Sequence, residues 1–236
     1  MTEELFREDA YLKECLATVI ASGEGIVRLD RTVFYPMGGG QPGDTGALRL
    51  ADGTVAPIVD TRKDKETGGI LHFLADDVLC PPAGASVTAL IDWDRRHRLM
   101  RMHSCLHLLC ALVPGAVTGG NIGDGKGRLD FDLEESPDKD ALTDQLNALI
   151  AADTPVGQSW ISDAALEANP DLVRTMSVKP PMGQGRVRII TVEGVDTQPC
   201  GGTHVRRTGE IGPVQVVKIE KKGRMNRRVS IAFMSG

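Results

Sequence analysis

Long apolar runs are missing from this sequence. No stretch approaches the roughly 18 residues a membrane-spanning helix needs, so no transmembrane segment and no membrane partner are expected. The signature of a secretory leader is missing too, because Met1 to Ala10 is acidic rather than basic and then apolar. A cytoplasmic chain is the expectation. Charge of one sign is not in excess: 27 Lys and Arg stand against 32 Asp and Glu, and the net −5 argues against a protein that coats nucleic acid without discrimination. Disorder is excluded as the main theme by a hydrophobic share of 41%. Five cysteines, an odd and scattered set, do not read as a disulfide framework, which leaves metal binding, catalysis or burial. Aromatics are scarce at 4%, while 27 glycines suit tight turns and short strands better than a large helical bundle.

What is present divides into two parts of different character, within a length of 236 residues that suits one or two domains. Short apolar runs broken by turn residues predict strands at Ala17–Ala21, Gly25–Asp30, Thr32–Tyr35, Gly46–Leu50, Val55–Asp60, Ile70–Leu74 and Val87–Ile91. That spacing predicts a small β-barrel over residues 1–92. From Asp94 to about Val113 the period changes, with Leu99, Met102, Leu106, Leu109 and Val113 three and four apart, and a helix is predicted. A second helix is predicted to open at Ser136-Pro137, an N-cap followed by proline at the first helical position, with Leu142, Leu146, Leu149 and Ile150 on one side. Strands at Val187–Val192, Val214–Ile219 and Arg228–Phe233 complete an α+β domain over residues 93–236.

Within that domain His103 and His107 stand four apart on the first helix, so both rings leave the same face and could share a metal ion. Cys200 and His204 are also four apart, on a segment whose Gly201 and Gly202 let the backbone turn both side chains to one point. Three histidines and a cysteine form a mixed N/S set of the kind zinc favours, one ion per chain. Each pair alone also reads as a half-buried polar helix face and a small core cysteine. Four ligands match a structural zinc in number, whereas a helix face and a glycine loop suit a pocket floor better than a fold staple. His72 and His97 stay unassigned.

The string Cys200-Gly201-Gly202-Thr203-His204-Val205, continued by Thr208-Gly209-Glu210-Ile211-Gly212, resembles the editing domain of alanyl-tRNA synthetase, as does His103-x-x-x-His107-Leu108-Leu109. Phe34-Tyr35-Pro36-Met37-Gly38-Gly39-Gly40-Gln41-Pro42-Gly43-Asp44-Thr45-Gly46 is similar to the glycine-rich motif of the same region. The likeness runs from about residue 20 to 234 and leaves no room for an aminoacylation domain. The chain therefore resembles AlaX, the free-standing trans-editing relatives of that domain, in the longer form with an N-terminal barrel of the translation-factor type.

The resemblance implies a zinc-dependent deacylase of mischarged tRNA(Ala), chiefly Ser-tRNA(Ala) and in some members Gly-tRNA(Ala), protecting translation fidelity. An alanine pocket cannot strongly reject an added hydroxyl, so a second site must correct the error. For the chemistry, the hypothesis is that zinc mainly shapes and polarises the pocket while one histidine, His103 or His107, leaves it to act as base. The resemblance makes Thr118, in Val117-Thr118-Gly119-Gly120-Asn121, the candidate reader of the serine hydroxyl, beside its plainer reading as a turn threonine satisfying local backbone groups, with Asn121 or Gln198 next in line. The Gly38-Gly39-Gly40-Gln41 loop is expected near the pocket, helping to accept the tRNA end. Of two basic clusters, Arg95, Arg96, Arg98 and Arg101 reads as a solvated face, and the one holding Lys218, Lys221, Lys222, Arg224, Arg227 and Arg228 as phosphate-binding. A transient contact with the synthetase is a further expectation. A different class of reading remains beside the hydrolase: a non-catalytic zinc module that binds tRNA or a synthetase.

Overall fold

The computed structural model describes residues 2–175 and 185–234. Two compact units divide it, one ending at His97 and the other starting at Arg98.

The first unit holds β1 (Glu3–Glu4), β2 (Glu14–Gly23), β3 (Ile26–Leu29), β4 (Arg31–Thr32), β5 (Gly46–Leu50), β6 (Val55–Lys63), β7 (Ile70–Leu74) and β8 (Ser86–Ile91). Six of them close a barrel in the order β2-β3-β7-β6-β5-β8. Side chains alternate in and out along each strand, so Val27 and Leu29 of β3, Leu74 of β7 and Val87 and Ala89 of β8 fill the interior. The predicted strand at Thr32–Tyr35 stops at Thr32. Beyond it, side-chain acceptors take the place of a strand partner: Phe34 N–H donates to Thr32 Oγ1 at 3.1 Å and Tyr35 N–H to an Asp44 carboxylate oxygen at 2.6 Å.

Asp44 also receives Arg96, from the first turn of α1 (Trp93–Leu112). The guanidinium is wholly buried; its Nε lies 3.0 and 2.9 Å from the two carboxylate oxygens, and its terminal nitrogens donate to Ala10 O at 3.0 Å and Val33 O at 2.7 Å. Asp92 starts the helix as its N-cap, accepting the Arg95 N–H at 3.1 Å.

The second unit contains the rest of α1, then β9 (Ala116–Ile122), β10 (Lys126–Asp132), α2 (Lys139–Ala151), β11 (Val156–Ser162), α3 (Asp163–Glu167), β12 (Arg186–Val192), β13 (Asp196–Pro199), β14 (Val214–Gly223) and β15 (Asn226–Phe233). They form an antiparallel sheet β14-β15-β10-β9 and a smaller one, β11-β12-β13. Every residue from Leu99 to Cys110 except Arg101 is buried. The four-stranded sheet comes close on one side, because a Cβ on Gly127 of β10 would sit 2.9 Å from Met102 Sδ. Cys200, at the end of β13, meets His103 on another. The second helix begins two residues later than its sequence suggests. Asp138, not Ser136, is the N-cap and accepts the Ala141 N–H at 2.8 Å, leaving Pro137 just outside. Leu142, Leu146 and Ile150 face the core.

Candidate metal centre

His103 and His107 lie one helical turn apart in the buried middle of α1, and the loop after β13 brings Cys200 and His204 to them. The ligand atoms of all four residues lie within 4.8 Å of one another. Cys200 Sγ is 3.5 Å from His103 Nε2 and 3.3 Å from His204 Nε2. The imidazole centroids stand 4.3 Å apart for His103 and His204, 4.5 Å for His107 and His204 and 5.2 Å for His103 and His107. Three rings so close cannot all be charged. Burial first, then the neighbouring imidazoles and Arg188, hold His103 and His204 well below the ordinary histidine range. Burial first and Arg188 second depress His107 to about 3. All are neutral at pH 7, the state a metal ligand requires. The cluster could hold one metal ion.

The surroundings fix these donors. Ser104 Oγ lies 3.1 Å from His204 Nδ1 and accepts the Val205 N–H at 3.2 Å, which turns His204 Nε2 toward the sulfur. The Gly202 N–H points at Cys200 Sγ from 3.4 Å. His107 Nδ1 is buried with no hydrogen-bond partner among the described residues. Sequence reasoning missed Ser104 and Arg188. The signal for Arg188 was a lone charge inside the apolar run Val187–Val192.

The other residues singled out from sequence have hydrogen-bond partners of their own. Thr118 stands at a bulge in β9, where pairing slips between Phe131↔Val117 and Asp130↔Gly119. Its hydroxyl donates to Asp130 O at 3.2 Å and accepts from Asn226 Nδ2 at 3.4 Å, so it is held by its own sheet. Gln198 Nε2 donates to Asp196 at 2.6 Å. In the first unit Gly38 and Gln41 exchange backbone hydrogen bonds of 3.1 and 2.9 Å across Gly39 and Gly40, both left-handed at φ 57° and 81°. That is the tight turn of a hairpin. His72 bridges Val27 O and Thr32 Oγ1 in the barrel, and His97 stacks on Trp93 at 5.3 Å.

The arginines expected to be a solvated face are structural. Arg96 is paired with Asp44, Arg95 donates to Gly43 O at 2.8 Å, Arg98 grips Asp124, and Arg101 donates twice to Ile211 O. In the second cluster Arg227 is buried against backbone carbonyls and Arg228 is bidentate on Asp130. Lys218 and Lys222 share Glu220, each at 3.0 Å. Lys221 and Arg224 project from the β14–β15 hairpin with no ion pair among the described residues.

Comparison with known proteins decides the family. The chain is 40% identical over 239 residues to the alanyl-tRNA editing protein AlaX-M of Methanosarcina barkeri, covering 97% of this chain and 98% of that protein. The chain belongs to the AlaX-M family. The protein of the same name from Methanosarcina acetivorans is 37% identical, over 99% of this chain and all of that protein. The alanine–tRNA ligase of Pyrobaculum calidifontis is 35% identical over 93% of this chain, a match to 25% of its length. Two family profiles agree in part. Residues 6–95 match tRNA synthetases class II (A), and residues 187–230 match the threonyl and alanyl tRNA synthetase second additional domain. The second span contains Cys200 and His204, whereas the helical His103 and His107 fall outside both.

Proposed function

We propose that the chain is a trans-editing hydrolase, cleaving the ester of mischarged tRNA(Ala), chiefly Ser-tRNA(Ala) and secondarily Gly-tRNA(Ala). The observation that carries this is the convergence of three imidazoles and one thiol from two distant segments, in a chain similar along nearly its whole length to proteins named for alanyl-tRNA editing.

The donors fit zinc. Bonds of about 2.0–2.3 Å in a tetrahedron separate ligand atoms by roughly 3.3–3.6 Å, close to the 3.3 and 3.5 Å between Cys200 Sγ and two of the imidazoles. The orphaned His107 Nδ1 is a further mark of a ligand set. Held by His103, His107, Cys200 and His204, zinc would supply a Lewis acid beside the ester carbonyl. The residues around it do the rest. Ser104 keeps His204 in one tautomer. Depressed basicity suits His103 and His107 to ligation more than to proton abstraction, since a base works best with a pKa near the working pH.

Thr118 is proposed as the reader of the serine hydroxyl, its position set by the β-bulge. A site that pairs a hydroxyl can reject alanine far more strongly than an apolar pocket rejects serine. Lys221 and Arg224, with Lys222 beside them, supply phosphate contacts for tRNA(Ala), and the Gly38–Gln41 turn contributes to tRNA acceptance.

Four protein donors also fill a closed site, which favours one other reading: a zinc module that binds tRNA or a synthetase without catalysis. Deacylation of Ser-, Gly- and Ala-tRNA(Ala) side by side separates the two. The hydrolase releases serine fastest and spares alanine; a module that binds tRNA and releases nothing overturns the proposal. Thr118→Val should erase the preference for serine over alanine while zinc content stays at one per chain.

A further inference from the structure

The loop that carries Cys200 and His204 has little to hold itself in shape, because Gly201 and Gly202 bring no side chains. We infer that Arg188 is the positioning residue of this metal loop, with Gln158 as its anchor. Arg188 lies on β12, is 4% exposed, and reaches the loop through both its backbone and its side chain. Its carbonyl accepts the Cys200 N–H at 3.0 Å. Its Nη1 donates to the Gly202 carbonyl at 2.6 Å and to the Cys200 carbonyl at 3.3 Å. One residue thus grips the peptide groups on both sides of the Cys200 side chain and one glycine beyond.

The other side of the guanidinium is fixed as well. Its Nε and Nη2 converge on Gln158 Oε1 at 3.0 and 2.6 Å. Gln158 is on the edge strand β11, opposite Ile190 of β12, so it approaches the arginine diagonally across the strand pair. Ile190 in turn faces Gln198 of β13, two residues before Cys200. The same face of the small sheet therefore presents Gln158, Arg188 and the strand that leads into the metal loop.

A planar fork suits this task in a way that a lysine does not. Its donors leave in fixed directions, two toward Gln158 and one toward a pair of carbonyls, so the glutamine's position is transmitted to the loop. A buried cation near a metal ion is electrostatically unfavourable, and an apolar residue would fill the space without that cost. What the apolar residue could not do is satisfy the Cys200 and Gly202 carbonyls. Arg188 acts through the loop and is not one of the four clustered donors. The inference stands whether or not the chain is a hydrolase.

The test is zinc affinity by competition with a chelator of known affinity, on the full chain. Arg188→Met keeps the bulk and removes the donors. It should weaken zinc binding by about 10–100-fold, the usual effect of losing an outer-shell partner. Arg188→Lys, which can reach one carbonyl only, should recover part of that loss. Gln158→Leu should weaken binding by a smaller factor in the same direction. A purely structural arginine gives a different signature. Melting would then fall equally with and without zinc, and the affinity of all three variants would match the parent, which overturns the inference. Should Arg188→Met fail to fold, Gln158→Leu decides on the same readout.

Discussion

Both units bury histidine, and they use it in opposite ways. In the barrel His72 is wholly buried with each ring nitrogen matched: Nδ1–H donates to Val27 O at 3.0 Å, and Nε2 faces the Thr32 hydroxyl at 2.8 Å. The polar partners were built around one neutral tautomer, and nothing is left over. In the second unit His103, His107 and His204 face one another and Cys200, and His107 Nδ1 has no hydrogen-bond partner among the described residues. A satisfied histidine is a core residue. Mutually facing histidines beside a cysteine could hold one metal ion. The buried Arg96 and Arg188 repeat the contrast, one closing on the Asp44 carboxylate and the other on a loop.

The sharpest way to break the comparison is to remove ligands. Cys200→Ala with His204→Ala should lose all zinc by metal analysis. The parent should give one zinc per chain, and adding a chelator to it should lower its melting temperature far more than that of the double variant. Full zinc retention in the variant would remove the centre as assigned. On the barrel side, Asp44→Ala leaves Arg96 as a buried charge without its carboxylate and should cost about 3–5 kcal/mol in denaturant unfolding. Zinc content is expected to stay at one per chain.

The contrast also has a pH signature. Burial lowers His72 to about 4 from an ordinary 6.5, so between these values the unfolded chain binds the extra proton and the fold does not. Its contribution is complete above pH 6.5 and is lost as the pH falls toward 4, roughly 3 kcal/mol across the window. The measurement is the difference in unfolding free energy between parent and His72→Leu as a function of pH. A difference that stays flat from 7 to 4 would show that His72 titrates in the fold as it does in the open chain.

The two units also differ in how openly the sequence displays them. Barrel strands announce themselves because one face is core and the other solvent, which leaves period-two alternation in runs such as Val87–Ile91. The failure at residues 33–35 has the same origin: those side chains are buried and apolar, but their backbone bonds go to Thr32 and Asp44, which no hydropathy pattern reveals. In the second unit β9 and β10 are not among the predicted strands, because their glycines interrupt the apolar alternation. Gly127 is there for packing, since a Cβ would run into Met102 and Leu106. β11 is an edge strand with largely exposed side chains, and its polar sequence hides it. The four metal-facing residues were legible because each pair sits four apart; their supports were not. Ser104, Gln158 and Arg188 make their contacts between separate segments of the chain, and such contacts leave no local period.

The smallest expected effect concerns the Gly39-Gly40 turn, which belongs to the barrel by position and to tRNA acceptance by proposal. At φ 57° Gly39 occupies the left-handed region, and a Cβ there would meet nothing within 4 Å. Gly39→Val is therefore a poor probe, because a β-branched residue at positive φ strains the backbone and confuses turn with site. Gly39→Asn separates them. Asn-Gly is a favoured pair for this turn, so the fold should stay within about 0.5 kcal/mol of the parent. The added side chain starts from open space, with nothing within 4 Å of its Cβ. Deacylation of Ser-tRNA(Ala) should then fall a few-fold through KM, with kcat and zinc content held. An unchanged KM would leave Gly39 as a turn residue and nothing more, placing the loop wholly on the structural side of the comparison.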